Sequence, residues 1–233
     1  MSDEERGGGF DPWAANYDEA LQRGLSLSGE GRDFFARGRV NFLAECLAQI
    51  GVRPRRALDF GCGTGDTVPL LAEVLGLERV LGLDEAPRTV EFATSRFGSD
   101  QLRFSLVVNH APAAEFDLVY LNGVLHHVSW ADQPRVVARL AGELRPGGIL
   151  SLWENNPWNP GTRWVMSRIP FDREAVVLSA SRARRLARAT GLAVIRTDYR
   201  FIFPGGLALL RPVERLVTRL PLGAQYQVLC RKP

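Results

Sequence analysis

A chain of 233 residues with 45% hydrophobic content is long enough to bury a sizeable core, which excludes a largely disordered protein. Its 29 Lys and Arg side chains face 26 Asp and Glu, a formal charge of +3 that is too near balance for a protein that coats nucleic acid. The three cysteines, Cys46, Cys62 and Cys230, are odd in number and far apart, so they assemble neither a disulfide framework nor a four-cysteine zinc site and fit a reducing cytoplasm.

The N-terminal MSDEERGGGF lacks a cationic stretch followed by an apolar one, and no apolar run approaches the roughly 18 residues of a membrane span. Neither secretion nor membrane insertion is expected. From Asp11 to Ile50 apolar residues recur at helical spacing in two segments, broken at Ser28-Gly29-Glu30-Gly31. Residues 1–52 therefore read as a helical extension, a lid on a single compact domain over 53–233. Within that domain strands are expected at 56–60, 79–84, 102–108, 116–122 and 149–155, with helices at 66–76, 87–98 and 133–148 between them. Strands and helices alternating at these lengths make βαβ units, hence a parallel sheet covered on both faces.

Directly behind the first strand, ALDFGCGTGD places Gly61, Gly63 and Gly65 at alternate positions. In such sheets ligands bind at the carboxyl ends of the strands, where these glycines sit. Asp84, about twenty residues on at the end of the second strand, can accept both hydroxyls of a ribose. A dinucleotide loop needs G-x-G-x-x-G with a helix N-terminus facing the pyrophosphate. Here Asp66 stands where the third glycine belongs, and Asp59 precedes the loop. Two carboxylates repel a pyrophosphate but suit a ligand carrying an ammonium and a sulfonium. The loop thus favours S-adenosylmethionine over NAD.

Together LDFGCGTGD, Asp84, FDLVYLNGVLHHV and LRPGGILSL, spanning residues 53–155 in order, resemble the class I S-adenosylmethionine-dependent methyltransferases. The resemblance implies a Rossmann-like, seven-stranded, mostly parallel sheet with helices on both faces. It implies that Gly61 and Gly63 admit the methionyl and ribosyl parts of the cofactor, that Asp59 orients its ammonium group, and that Asp84 holds its ribose. Asn122 lies where the family contacts the amino-acid tail. The family often has an acid after the third strand for the adenine amino group; this chain offers Asn109, whose amide oxygen can also accept that hydrogen bond. WAANYDEA resembles a segment that many small-molecule members fold over the cofactor, with Tyr17 and Arg39 directed at its carboxylate. The alternative is that Trp13, Tyr17 and the phenylalanines after them only pack the extension on the sheet. Cys62, with no evident base beside it, reads as a small buried side chain.

A sulfonium methyl is already activated, so the protein has to align a nucleophile and, for a hydroxyl or amine, accept a proton. His126 and His127, after the fourth strand, and Glu154, at the end of the fifth, are the candidate catalytic residues, with His110 a further candidate base. No spacing suggests a metal ligand set, and metal-independent transfer is expected.

From Glu154 onward, ENNPWNPGTRWVMSRIPFD reads as irregular and apolar, a source of substrate specificity. A helix over 179–191 and strands over 192–200 and 224–232 follow. Between those strands, Leu207 to Leu220 reads as a helical insertion with Arg211, Arg215 and Arg219 on one face. Leu207, Leu209, Leu210, Leu216 and Val217 are expected to cover the pocket; a homodimer contact or peripheral contact with an anionic membrane are the other uses of such a helix. The expected function is methyl transfer to an O, N or C atom of a small molecule, of specialised or lipid-associated metabolism. The alternatives are a noncatalytic S-adenosylmethionine-binding partner, which would bind without turnover, and a nucleic-acid methyltransferase, which needs a basic groove not visible here.

Overall fold

The computed structural model describes residues 29–168 and 177–233. One sheet organises them. Its strands are β1 (Arg56–Phe60), β2 (Arg79–Asp84), β3 (Leu102–Leu106), β4 (Phe116–Asn122), β5 (Leu144–Asn155), β6 (Ala193–Arg200) and β7 (Gln225–Arg231), in the order β3-β2-β1-β4-β5-β7-β6. The first five pair in parallel, and β7 runs antiparallel between β5 and β6. Around the sheet lie α1 (Arg32–Gln49), α2 (Thr67–Leu75), α3 (Pro87–Phe97), α4 (Gln133–Glu143), α5 (Pro160–Met166) and α6 (Ala180–Ala189). The strand order reverses between β1 and β4, which opens a crevice at their carboxyl ends.

Strand β4 shows why the sheet is covered on both sides. FDLVYL is an almost continuous apolar run, buried from Phe116 to Leu121, as a central parallel strand requires. Its side chains alternate between two cores. Leu118 and Tyr120 join Leu43, Leu47 and Leu71 beneath α1 and α2, whereas Val119 and Leu121 join Val137, Leu140 and Leu186 beneath α4 and α6. A buried leucine contributes roughly 1.5–3 kcal/mol, so slipping this strand by one residue would forfeit both cores at once.

Three local expectations change. Strand β5 begins at Leu144, because after Phe116 pairs with Leu144 the register shifts, and Leu118 pairs with Ile149. Arg145-Pro146-Gly147-Gly148 therefore bulges rather than ending a helix. Within 154–172, read as irregular, Asn159 accepts the Thr162 amide at 2.9 Å and Pro160 opens a helix at its first position. These are the ordinary start signals of α5.

The third change concerns the link from β6 to β7. In place of one α-helix, Gly205–Val213 forms 3₁₀ turns and only Glu214–Val217, α7, is α-helical. Pro212 lacks an amide hydrogen and cannot sit in a regular helix interior. The leucines also do not turn inward as expected. Arg211 donates to Glu30 at 2.5 Å and to the Phe203 carbonyl at 3.3 Å, with its guanidinium 4.4 Å from the Phe34 ring centroid. Arg215 pairs with Glu45 and Arg219 reaches Asp198. Leu209 and Leu216 are 96% and 84% exposed, and Leu207 and Leu210 are about half exposed. Arg211 alone of the three arginines turns inward; Arg215 and Arg219 are 72% and 64% exposed and meet Glu45 and Asp198 at the surface, and the four leucines are exposed as well.

Candidate functional site

The glycine loop leaves β1 and folds onto the end of β2. Gly61 and Cys62 both donate their amides to the Leu83 carbonyl, at 2.7 and 3.0 Å, and Gly63 donates to Asp84 Oδ2 at 2.9 Å. The three glycines have positive φ. A Cβ on Gly61 would stand 2.4 Å from Val124 Cγ2, and one on Gly65 would meet Ala93 and Phe104 at 2.9 Å. Those two are required by the protein's own packing. A Cβ on Gly63 would meet nothing within 4 Å, so here the bare backbone opens a cradle toward empty space.

That space is a chamber of about 690 Å³. Asp59, Gly61, Gly63 and Asn122 line it from the ends of β1 and β4, Arg39 from α1, and His126, His127 and Glu154 from the ends of β4 and β5. Asp84 and Asn109 are not in its lining. Asp84 lies behind the loop, accepting from Gly63 and, at 3.0 Å, from the Ala86 amide. Each of its oxygens keeps a second lone pair. Asn109 ends a 3₁₀ turn after β3 and is exposed. Tyr17 lies outside the described residues. None of Leu207, Leu209, Leu210, Leu216 and Val217 lines the chamber, which removes them as its cover.

Asp59 is 3% exposed, and its carboxyl is pushed up to about 7, chiefly by burial and then by the charge of Asp84, with Arg39 opposing. Arg39, also buried, donates to the Tyr120 hydroxyl at 3.2 Å and to Gln225 Oε1 at 3.0 Å. A buried acid held half-protonated near neutrality favours an incoming cation. The lining agrees in sign: among the described residues it holds six carboxylates and four guanidiniums. The cradle at Gly63 and this acidic wall fit a ligand bearing both sulfonium and ammonium. Burial also pushes the Cys62 thiol up, which removes it as a nucleophile.

The candidate bases sort themselves. His126, 4% exposed, contacts Glu154 Oε2 through Nδ1 at 2.6 Å, and Glu154 Oε1 accepts the Leu125 amide at 2.7 Å. Glu154, read from sequence as an independent base, is thus the partner that orients His126. His127 is exposed, its ring 4.1 Å from that of His126. His110 turns to Glu143 of α4 at 3.0 Å and does not line the chamber. Sequence reading missed Gln133, fully buried, which donates to the Leu125 carbonyl at 3.1 Å while Arg182 donates to its Oε1. It holds the histidine turn from behind. Tyr120 and Gln225, which position Arg39, were missed too; nothing local marks either one.

A family model described as a methyltransferase domain matches residues 57–148. The trans-aconitate 2-methyltransferase of Methylobacterium radiotolerans is 36% identical over 121 residues, 51% of this chain and 45% of that protein. The protein of the same name from Acidovorax ebreus is 30% identical over 195 residues, 77% of this chain and 75% of that protein. In several such relatives the match spans about half of the relative's own length. Among solved structures, the N-methyltransferase NodS of Bradyrhizobium japonicum, in complex with S-adenosyl-L-homocysteine, superposes with a TM-score of 0.58 at 16% identity, covering 83% of this chain and 85% of that one. By fold, glycine loop and these relatives, the chain belongs to the class I S-adenosylmethionine-dependent methyltransferase family.

Proposed function

We propose that this chain uses S-adenosylmethionine to methylate an O, N or C atom of a small molecule of specialised or lipid-associated metabolism, in the cytoplasm. The observation that carries the reading is a juxtaposition: one chamber holds both the acidic glycine-loop site and the His126–Glu154 pair. The sulfonium of the bound cofactor supplies an already activated methyl group. The chain's own residues do the rest. Gly61 and Gly63 leave the backbone bare, Asp59 faces the ammonium, Arg39 faces the carboxylate, and Asp84 takes the ribose. His126, fixed through Nδ1 by Glu154, receives the proton that an acceptor hydroxyl or amine gives up, and Glu154 stabilises the resulting imidazolium. Alignment of the acceptor in a water-poor chamber supplies the remainder.

The test is ligand-dependent stabilisation. S-adenosylhomocysteine should raise the melting temperature in proportion to the logarithm of its concentration, and NAD should not. Equal stabilisation by NAD, or none by S-adenosylhomocysteine, would refute the proposal.

A further inference from the structure

From β5 outward the chamber changes character. Its walls there are Phe201 and Phe203 beyond β6, Trp164, Val165 and Met166 on α5, and Gln225 on β7. Phe34 and Phe35 of α1 close the same side, each edge-on to Phe201 with ring centroids 6.0 and 5.0 Å apart. Among the described lining residues from Glu154 through Gln225 there is no cation. Two of the amide side chains of this wall are already committed. Gln225 accepts from Arg39 and donates to Asn155 Oδ1, while Asn159 caps α5 and donates to the Leu222 carbonyl. Buried Glu214 braces the backbone behind it, accepting the Ile202 and Phe203 amides, both at 2.9 Å. Its one acid, Glu154, is engaged by His126 and by the Leu125 amide.

A polycarboxylate brings several negative charges, each of which needs a desolvated cation or a set of donors when buried. Among the described residues the cations nearest this wall are already engaged, Arg39 by Gln225 and Tyr120, and Arg168 by the Trp164 ring, and the described lining carries more carboxylates than guanidiniums. An uncharged flat ring meets aromatic side chains there, in the same chamber that His126 lines. The topology sets the order: glycine loop at β1, His126 at β4, aromatic wall across β5, β7 and β6. Resting on the methyl-transfer reading above, we infer that the acceptor subsite takes an uncharged aromatic molecule bearing a hydroxyl, in contrast to the polycarboxylate named in the relatives. Phe203 and Trp164 grip its ring, and its hydroxyl points to His126.

Calorimetric titration of the full chain, first with S-adenosylhomocysteine and then with 2-naphthol or trans-aconitate, separates the two readings. Absence of S-adenosylhomocysteine binding would overturn the methyl-donor reading on which this inference rests. With that ligand in place, 2-naphthol should bind at least tenfold more tightly than trans-aconitate. Phe203→Ala and Trp164→Ala should each weaken naphthol binding roughly three- to tenfold, the range for one aromatic contact, and leave S-adenosylhomocysteine affinity unchanged, which reports that the variants are folded. Tighter binding of trans-aconitate, no binding of naphthol, or naphthol affinity indifferent to both variants overturns the aromatic acceptor alone.

Discussion

Asp59 offers the most direct way to read the chamber's charge. Its carboxyl is raised from 3.8 to about 7, first by burial and then by Asp84. A raised acid binds its proton more tightly folded than unfolded, so the ligand-free chain loses stability from this group as pH climbs from about 4 to 7. A bound ammonium reverses the preference, because it stabilises the carboxylate. With a value near 7, about one molecule in eleven is ionised at pH 6 and about ten in eleven at pH 8. S-adenosylhomocysteine should therefore bind roughly tenfold more tightly at pH 8 than at pH 6, about 1.4 kcal/mol, and release about half a proton at pH 7. Calorimetry in buffers of different ionisation enthalpy measures both quantities. In Asp59→Asn the pH dependence should flatten and the ligand-free melting temperature should rise above pH 7, a gain that shrinks toward pH 5. A wild-type affinity that is flat from pH 6 to 8 with no proton released would refute the reasoning, as would an unchanged slope in Asp59→Asn.

The remaining expectations use stability and rate. Gly63→Ala meets no atom but keeps a left-handed backbone, so it should cost roughly 1–2 kcal/mol of stability and at least tenfold in S-adenosylhomocysteine affinity, whereas Gly61→Ala collides with Val124 and should lower the melting temperature much further. Once an acceptor is found, His126→Gln should depress kcat by roughly 10²–10⁴-fold with S-adenosylhomocysteine binding intact, and Glu154→Gln in that background should add little, since the two act as a unit. Arg211→Ala, which breaks bonds to Glu30 and Phe203 and a stack on Phe34, should cost roughly 1–3 kcal/mol in chemical denaturation. Leu209→Asp, on a fully exposed side chain, should stay within about 0.5 kcal/mol.

The glycine loop was legible because its requirement is local: a positive φ and a missing Cβ are properties of single residues, and the strand before it is marked by its own apolar run. The pairing of His126 with Glu154 was not, because it depends on β4 and β5 lying side by side in a register that sets Asn122 against Trp153 and brings the two side chains together across 28 residues. The Leu207–Leu220 segment failed for a different reason. Arginines at every fourth residue share a face only in one continuous helix at about 100° per residue; the 3₁₀ turns of Gly205–Val213, at about 120°, end at the α-helical turn of Glu214–Val217 and break that run after Arg211, and Pro212 was the signal. Periodicity also names a face without saying which way it points. Burying the leucines was the natural reading of apolar residues, but that rule runs one way only, since much of any folded surface is apolar. Here Glu30 and the Phe203 carbonyl hold Arg211 on the protein side. Turning the segment over would forfeit the bonds of Arg211 to Glu30 and to the Phe203 carbonyl. Charges fixed on elements distant in sequence therefore decided an orientation that the segment's own pattern leaves open.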